Sequence, residues 1–254
     1  MTVDSQELRN RRAVVTGSSS GIGKSIALEL ARAGASVLIH ACSNKAAAQD
    51  TAAACREEGV EAPVVLADLS TDSGRAEMMA TSWKLFPQVD IWVNNAGADV
   101  LTGSARDLPF QEKLDLLWRV DVLSTIFLSR ACADRMKSND GGVILNMGWD
   151  QAFTGMEGDS GEYFAATKGA IMSFTRSFAR SVAPEVRVNC LAPGWIRTAW
   201  GETAPEEWQS RVHREIPLNR WGSPEDVARV ARFLASPAAE FVTGQIIPIN
   251  GGAT

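Results

Sequence analysis

The apolar residues of this chain fall into short continuous runs, separated by longer stretches of helical period. The runs cover residues 13–15, 36–40, 62–67, 89–93, 143–147, 186–191 and 245–249. Each is rich in Val, Ile and Leu and lacks strict alternation, the mark of a strand covered on both faces. Between them, apolar positions recur every three to four residues in the segment ending near residue 33 and in 46–58, 73–86, 111–136, 161–183 and 225–235. In the first of these, Ile22, Ile26, Ala27 and Leu30 form one stripe, and Gly34 stands where a helix would take a C-cap glycine. Segment 111–136 reads as one long helix or two abutting ones. Strand alternates with helix throughout, which predicts right-handed crossovers and a parallel sheet with helices on both faces. The expected fold class is α/β, a doubly wound parallel sheet in a single domain. Residues 1–11 are polar and read as a loose N-terminal arm.

In a doubly wound sheet, ligands belong at the carboxyl ends of the strands. Five such ends carry polar or glycine-rich residues here. The first strand runs into Gly17, Gly21 and Gly23, spaced G-x-x-x-G-x-G, and then into a helix. Glycines allow a tight turn and close approach, and the helix start offers N–H groups and a positive dipole end to an anion. Such a turn can also merely make a corner. The other ends are Asp68, residues 94–97, Trp149 with Asp150, and residues 193–198. Convergence of all five on one edge points to a ligand-binding enzyme fold.

Composition narrows the reading without changing it. Hydrophobic residues make up 45% and charged residues 22%, ordinary values for a globular domain. The net charge of −5 argues against a nucleic-acid partner. No apolar run approaches 18 residues and no leader pattern opens the chain, so no membrane association and a cytoplasmic location are expected. Cys42, Cys55, Cys132 and Cys190 show no C-x-x-C pairing and lie in or beside apolar runs. They read as buried free thiols in a reducing compartment, and no metal site is expected.

Several stretches resemble the short-chain dehydrogenase/reductase family: TGSSSGIG at 16–23, Asp68–Leu69, NNAG at 94–97, AATKGA at 165–170, PGWIRT at 193–198 and the tail TGQIIPINGG. The likeness spans residues 11–252 and is nearest to the 3-oxoacyl-(acyl carrier protein) reductase-like members. It implies a Rossmann fold, a nicotinamide cofactor, hydride transfer to or from a small-molecule substrate, and a homodimer or homotetramer. By match to the family motifs, Gly17, Ser19, Gly21, Ile22 and Gly23 should line the pyrophosphate and ribose. Asp68 and Leu69 should meet the adenine, and Asn95 and Gly97 should pack under the adenosine half. Lys168 should hold the nicotinamide ribose, and Pro193, Gly194, Ile196 and Thr198 should border the carboxamide. The family dimer face implies that helices 111–136 and 161–183 pair, with Leu114, Leu117, Val122 and Phe174 compatible.

An acid at the end of the second strand would bind ribose hydroxyls and repel a 2′-phosphate. The chain instead reads His40-Ala41-Cys42-Ser43-Asn44-Lys45. Ser43, Asn44 and Lys45 can donate to a phosphate, which favours NADP(H) over NAD(H); they can equally cap the next helix.

The resemblance fails at the chemistry. The family's general acid/base is a tyrosine four residues before the lysine, and Phe164 stands there. The single tyrosine, Tyr163, is one position off, roughly 100° around a regular helix, so it should point away unless a π-bulge absorbs a residue. The family serine after the fifth strand falls on Trp149, with Asp150 next. The family asparagine falls on Asp121. The candidate catalytic residues are therefore Lys168, Asp150, Tyr163, Asp121 and Trp149. A carboxyl buried against Trp149 would have its pKa raised and could donate a proton, while Lys168 would oppose that. Residues 155–161 form an acidic glycine-rich loop. Residues 195–217 read as a substrate lid whose Trp195, Trp200 and Trp208 suit an apolar or ring-bearing substrate, or else pack as core. Three readings stand: an oxidoreductase with an atypical proton donor, a non-redox enzyme using Asp150 or Asp121 as base, and a catalytically inactive binding protein.

Overall fold

The computed structural model describes residues 6–253. Seven strands form one parallel sheet in the order β3-β2-β1-β4-β5-β6-β7. They are β1 (Arg12–Val15), β2 (Ser36–Ala41), β3 (Val64–Leu66), β4 (Ile91–Asn94), β5 (Gly142–Met147), β6 (Val186–Pro193) and β7 (Ile246–Ile249). The strand order reverses between β1 and β4, and the carboxyl ends on either side of that point open into a crevice. The α/β doubly wound sheet expected from the apolar runs is the fold observed.

The helices are α1 (Gly21–Arg32), α2 (Lys45–Glu57), α3 (Asp72–Leu85), α4 (Phe110–Leu117), α5 (Ser124–Lys137), α6 (Gln151–Thr154), α7 (Asp159–Val182), α8 (Ala199–Thr203), α9 (Glu206–Glu215) and α10 (Pro224–Ala235). One core face packs α1, α2 and α10 on the sheet through Ile26, Leu30, Ala52, Val227 and Leu234. The other packs α3, α5 and α7 through Met78, Leu128, Met136 and Phe178. Segment 111–136 is helical throughout, as expected, but a turn of π-helix, Trp118–Leu123, joins α4 to α5. Residues 195–217 also contain α8 and α9, and α6 follows β5; α6 and α8 are too short to show a clear period, and α9 carries few apolar residues.

Several expectations change. The arm is packed from residue 6 onward. Leu8 is 1% exposed within the core, and Arg11 pairs with Asp90 at 2.9 Å. Residues 1–5 lie outside the described part. Cys55, Cys132 and Cys190 are buried, but Cys42 is exposed at the end of β2. Leu117 and Val122 are buried inside the chain, whereas Leu114 and Phe174 are half-buried and pack beside its cores. The exposed apolar residues on that side are Trp118, Leu123 and Phe127.

A buried polar chain ties the sheet to its helices. Asn94 accepts from Trp92 Nε1 at 2.8 Å and donates to Ser129 Oγ and Asn146 Oδ1, each at 2.9 Å. Asn146 in turn donates to Thr175 Oγ1 at 3.0 Å. The chain thus links β4, β5, α5 and α7 with every amide group engaged. Removing one member leaves buried partners unsatisfied, at about 1–3 kcal/mol per group. Asn94→Ala should therefore destabilise the fold by about 2–4 kcal/mol in urea unfolding followed by circular dichroism; a loss within about 0.5 kcal/mol would contradict this role.

Candidate active site

The strand ends enclose one cleft of about 850 Å³. Its first wall is the turn between β1 and α1. Gly17 adopts φ +62°, and a Cβ there would stand 2.8 Å from Ala96 Cα. Asn95 locks the turn by donating from Nδ2 to the carbonyls of Thr16 and Gly17 at 2.9 and 3.1 Å. The start of α1 has no capping side chain and no acid in its first turn. Beside Gly21, also at positive φ, the space is open as far as Thr198, 3.9 Å from the position of a Cβ. An uncapped helix start facing open space fits a diphosphate. The remaining cleft surface fits the rest of a dinucleotide: Ser19, Ile22, Gly23, Asp68, Leu69, Asn95, Gly97, Lys168, Pro193, Gly194, Ile196 and Thr198 all line it.

Three expected cofactor residues, Gly21, Ser43 and Asn44, are not themselves part of the cleft lining. Gly21 shapes the turn without lining the cleft. Ser43 and Asn44 are exposed beyond its rim, and Asn44 caps α2 by accepting from the Ala47 N–H at 3.1 Å. Asp68 does line the cleft. Its carboxylate accepts from the Ser70 N–H at 2.9 Å, and its hydrogen bonds to Ser70 hold its pKa below the ordinary value.

The centre of the cleft is an ion pair. Lys168 Nζ lies 2.7 Å from Asp121 Oδ2. Asp121 sits in the π-turn, is 2% exposed, and accepts from the Ala98 N–H at 2.9 Å through its other oxygen. A Cβ on Gly97 would stand 2.9 Å from that carboxylate, so the glycine makes room for it. On α7, Ser160, Phe164 and Lys168 follow one another at i, i+4 and i+8 and all reach the cleft. Trp149 lines the same wall, edge-on to Phe164 with centroids 6.0 Å apart.

Tyr163 lies on a different face. Helix α7 runs as regular α-helix from Asp159 to Val182, so the one-residue offset is preserved. The tyrosine is 2% exposed and packs with Val100, Leu117, Phe110 and Phe164. Burial and the nearby Asp159 push its pKa up. The π-turn of this site is in the helix carrying Asp121, not in the helix carrying Tyr163.

Asp150 is buried behind the cleft wall, next to Gly194 and Asn250. One oxygen accepts from the Gln151 N–H at 2.8 Å. Desolvation raises its pKa, against the hydrogen bonds from Asn250 and the backbone. A further wall consists of Trp195, Trp208 and Trp221, with Trp195 5.2 Å from Trp208 and 6.0 Å from Trp221. Arg211 stacks on Trp208 at 5.2 Å and bonds Glu157 of the acidic loop at 2.7 Å. The side chain of Trp200 lies outside the described part. The sequence reading missed Met156, Ser160 and Trp221 as cleft residues; for Ser160, the four-residue step back from Phe164 was the available signal. Among the described residues, no cluster of three or more His, Cys, Asp or Glu is placed to hold a metal. No helix of the described residues is long and apolar enough to cross a membrane.

The raised pKa of Asp150 has a definite consequence for stability. The folded chain holds this proton more tightly than the unfolded chain. The stabilisation is full below the ordinary value of 3.8 and is lost as pH rises through the folded value. Asp150→Asn keeps an acceptor for Gln151 and has no charge to bury. As pH rises from 3.8, the melting temperature of the wild type should fall relative to that of Asp150→Asn and level off above the folded value. Parallel pH profiles would contradict this placement.

The chain matches the family described as enoyl-(acyl carrier protein) reductase over residues 17–254. It is 34% identical over 251 residues to the 3-oxoacyl-[acyl-carrier-protein] reductase FabG of Aquifex aeolicus, covering 97% of this chain and 98% of that protein. The FabG reductase of Pseudomonas aeruginosa is 36% identical over 252 residues, covering 96% and 98%. Among solved structures, 7α-hydroxysteroid dehydrogenase complexed with NADH and 7-oxo glycochenodeoxycholic acid superposes with a TM-score of 0.90 at 31% identity, over 100% of this chain and 98% of that one. A short-chain dehydrogenase of Burkholderia cenocepacia in complex with NADP gives 0.88 at 29% identity, over 97% and 98%. With the glycine turn, the strand-end cleft and the seven-stranded order already in view, the chain belongs to the short-chain dehydrogenase/reductase family.

Proposed function

We propose that the protein is an NAD(P)(H)-dependent oxidoreductase acting on a carbonyl or hydroxyl compound, with Lys168 and Asp121 in place of the usual tyrosine as the proton-handling groups. The observation that carries this reading is the Lys168–Asp121 contact of 2.7 Å at the wall of the nucleotide-shaped cleft. When bound, the reduced cofactor supplies a hydride to the substrate carbon. The substrate oxygen then needs a proton. Lys168 Nζ donates it: an N–H bond breaks as the O–H bond forms, and water later returns the proton to the amine. In the transition state the ammonium stabilises the negative charge growing on that oxygen. Asp121 orients the ammonium. While the amine is neutral, the Ala98 N–H supports the carboxylate.

Trp149 and Phe164 take the positions where the family places hydroxyl groups. They exclude water from the reacting oxygen and, with Trp195, Trp208 and Trp221, offer ring and apolar surface to the substrate. That wall favours an uncharged substrate with ring or apolar surface. The end of β2 carries no acid, and Ser43 and Lys45 at the head of α2 are potential donors to a 2′-phosphate, which supports NADP(H) over NAD(H). The exposed Trp118, Leu123 and Phe127 support a homodimer or homotetramer, and the three buried free thiols suit the reducing cytoplasm. The non-redox alternative loses Asp150 as its base, because that carboxyl does not line the cleft, and rests on Asp121 alone. The inactive-protein alternative gains none from an open cleft with a charged pair in it.

A panel of carbonyl compounds assayed by oxidation of NADPH and NADH tests the proposal. Turnover should be faster with NADPH. Asp121→Asn should lower kcat by about 100-fold, within the usual contribution of a positioned proton-transfer group, Lys168→Met should abolish turnover, and Tyr163→Phe should leave kcat unchanged. Loss of turnover in Tyr163→Phe would return the role to the tyrosine.

A further inference from the structure

A buried imidazole lies under the glycine turn and takes no part in the chemistry above. His40 is 2% exposed, and both its ring nitrogens have partners. The Gly17 N–H points at Nδ1 from 2.9 Å, and Nε2 is 2.9 Å from the Ala67 carbonyl. A backbone amide can only donate and a carbonyl can only accept. Nδ1 therefore offers its lone pair and Nε2 carries the proton, so the two neighbours fix one neutral tautomer. The backbone of His40 continues the linkage. Its carbonyl accepts from the Ser18 N–H at 2.9 Å, and its own N–H donates to Ser18 Oγ at 3.0 Å. Ser18 Oγ donates onward to the Val15 carbonyl at 2.7 Å.

We propose that His40 is a positioning residue for dinucleotide binding, whose neutral ring holds Gly17 on one side and the end of β3 on the other. The inference rests on the nucleotide reading of the cleft given above. Gly17 is at positive φ with Ala96 against it, so its peptide has one orientation compatible with the neighbouring segment. The ring holds that orientation. Through Ala67 it also sets the chain direction one residue before Asp68, on the far side of the same cleft. The two walls meant for the diphosphate and the adenosine are thus joined by one side chain.

The arrangement fails if the ring gains a proton. Nδ1–H would then face the Gly17 N–H, donor against donor, and that bond is lost. Burial holds the pKa of His40 below the ordinary 6.5, with the Ala67 bond opposing the shift. The elements around the ring place few charges there. The glycine turn contributes Gly17 and Ser18, which do not titrate. The first turn of α1 has no acid. The end of β3 contributes Asp68, engaged with Ser70. β2 itself contributes Cys42, whose thiol burial and Asp68 push up. Helix α2 contributes Thr51, whose hydroxyl reaches the Ser19 carbonyl at 3.4 Å, and begins with Lys45. Acidification should therefore weaken dinucleotide binding, an effect on KM rather than on kcat.

The chain contains two histidines, so the imidazole nitrogens resolve readily in the intact protein. In a proton–nitrogen correlation spectrum at neutral pH, His40 should show the Nε2–H neutral form, and the Gly17 amide signal should move together with the ring on acidification. In parallel, NADPH and NADH are titrated by fluorescence from about pH 8 to about pH 5 into wild type, His40→Gln and His40→Asn. NADH is the control because the 2′-phosphate of NADPH titrates near pH 6, as phosphomonoesters do, at about that value. Wild-type affinity for both should fall by about tenfold per pH unit once the ring titrates. The variants should bind several-fold more weakly at high pH and lack that fall. An Nδ1–H or charged ring at neutral pH overturns the inference, as does a variant with the wild-type pH profile. Flat wild-type binding across the pH at which the ring signal titrates overturns it while leaving the nucleotide reading intact. Absence of binding at every pH, with the ring as described, overturns the nucleotide reading itself.

Discussion

A carboxylate taken out of water must be met by positive charge and hydrogen-bond donors, or its burial costs several kcal/mol, an amount of about the whole margin of stability of a domain. Asp121 is such a group, and much of the local architecture answers to it. Lys168 reaches it from α7, and the Ala98 N–H reaches it from the segment after β4. Gly97 has no side chain where one would collide with it. The π-turn between α4 and α5 sets the residue within this ring of partners. Three elements distant in sequence are thereby held at one point on the sheet edge.

A second constraint acts on the same edge. The glycine turn after β1 approaches the segment after β4 so closely that Gly17 tolerates no Cβ, and Asn95 and His40 hold it from opposite sides. Beneath both lies the buried amide chain from Trp92 to Thr175, which fixes β4 and β5 against α5 and α7. The cleft is consequently built on strands and on a braced turn, while its outer wall includes the segment with α8 and α9. Arg211 joins that segment to the acidic loop before α7 by stacking on Trp208 and bonding Glu157. In the proposed function, an aromatic wall of this kind contributes area and shape to recognition, whereas the ion pair contributes chemistry.

How far the sequence reveals this depends on the range of the interactions involved. Continuous apolar runs and glycine placement are local signals, and they sufficed for the strands, their parallel sense and the strand-end cleft. The offset of Tyr163 was also legible, because α7 is regular and four-residue steps hold along it. The π-turn was not legible: an added residue in a helix leaves the apolar spacing of 111–136 almost unchanged. Asp150 looked like a cleft acid from its place after β5, but the path of α6 turns its side chain toward Asn250. Leu117 and Val122 looked like a partner-facing stripe because helical period marks an apolar face without saying what covers it. His40 read only as a strand residue, since its partners Gly17 and Ala67 are brought to it by the sheet. The polar opening hid Leu8, a single apolar residue with no period around it.

The central claim is that a nucleotide cleft is retained while a lysine–carboxylate pair, and no tyrosine, handles the proton. A crystal structure of the protein with bound NADPH tests it most directly. The account predicts the diphosphate at the turn containing Gly17 and Gly21, the nicotinamide between Lys168 and the Trp149–Phe164 wall, and Tyr163 still packed against Val100 and Leu117. A tyrosine hydroxyl turned into the cleft beside the Lys168 ammonium, or the nucleotide bound away from the glycine turn, would contradict it.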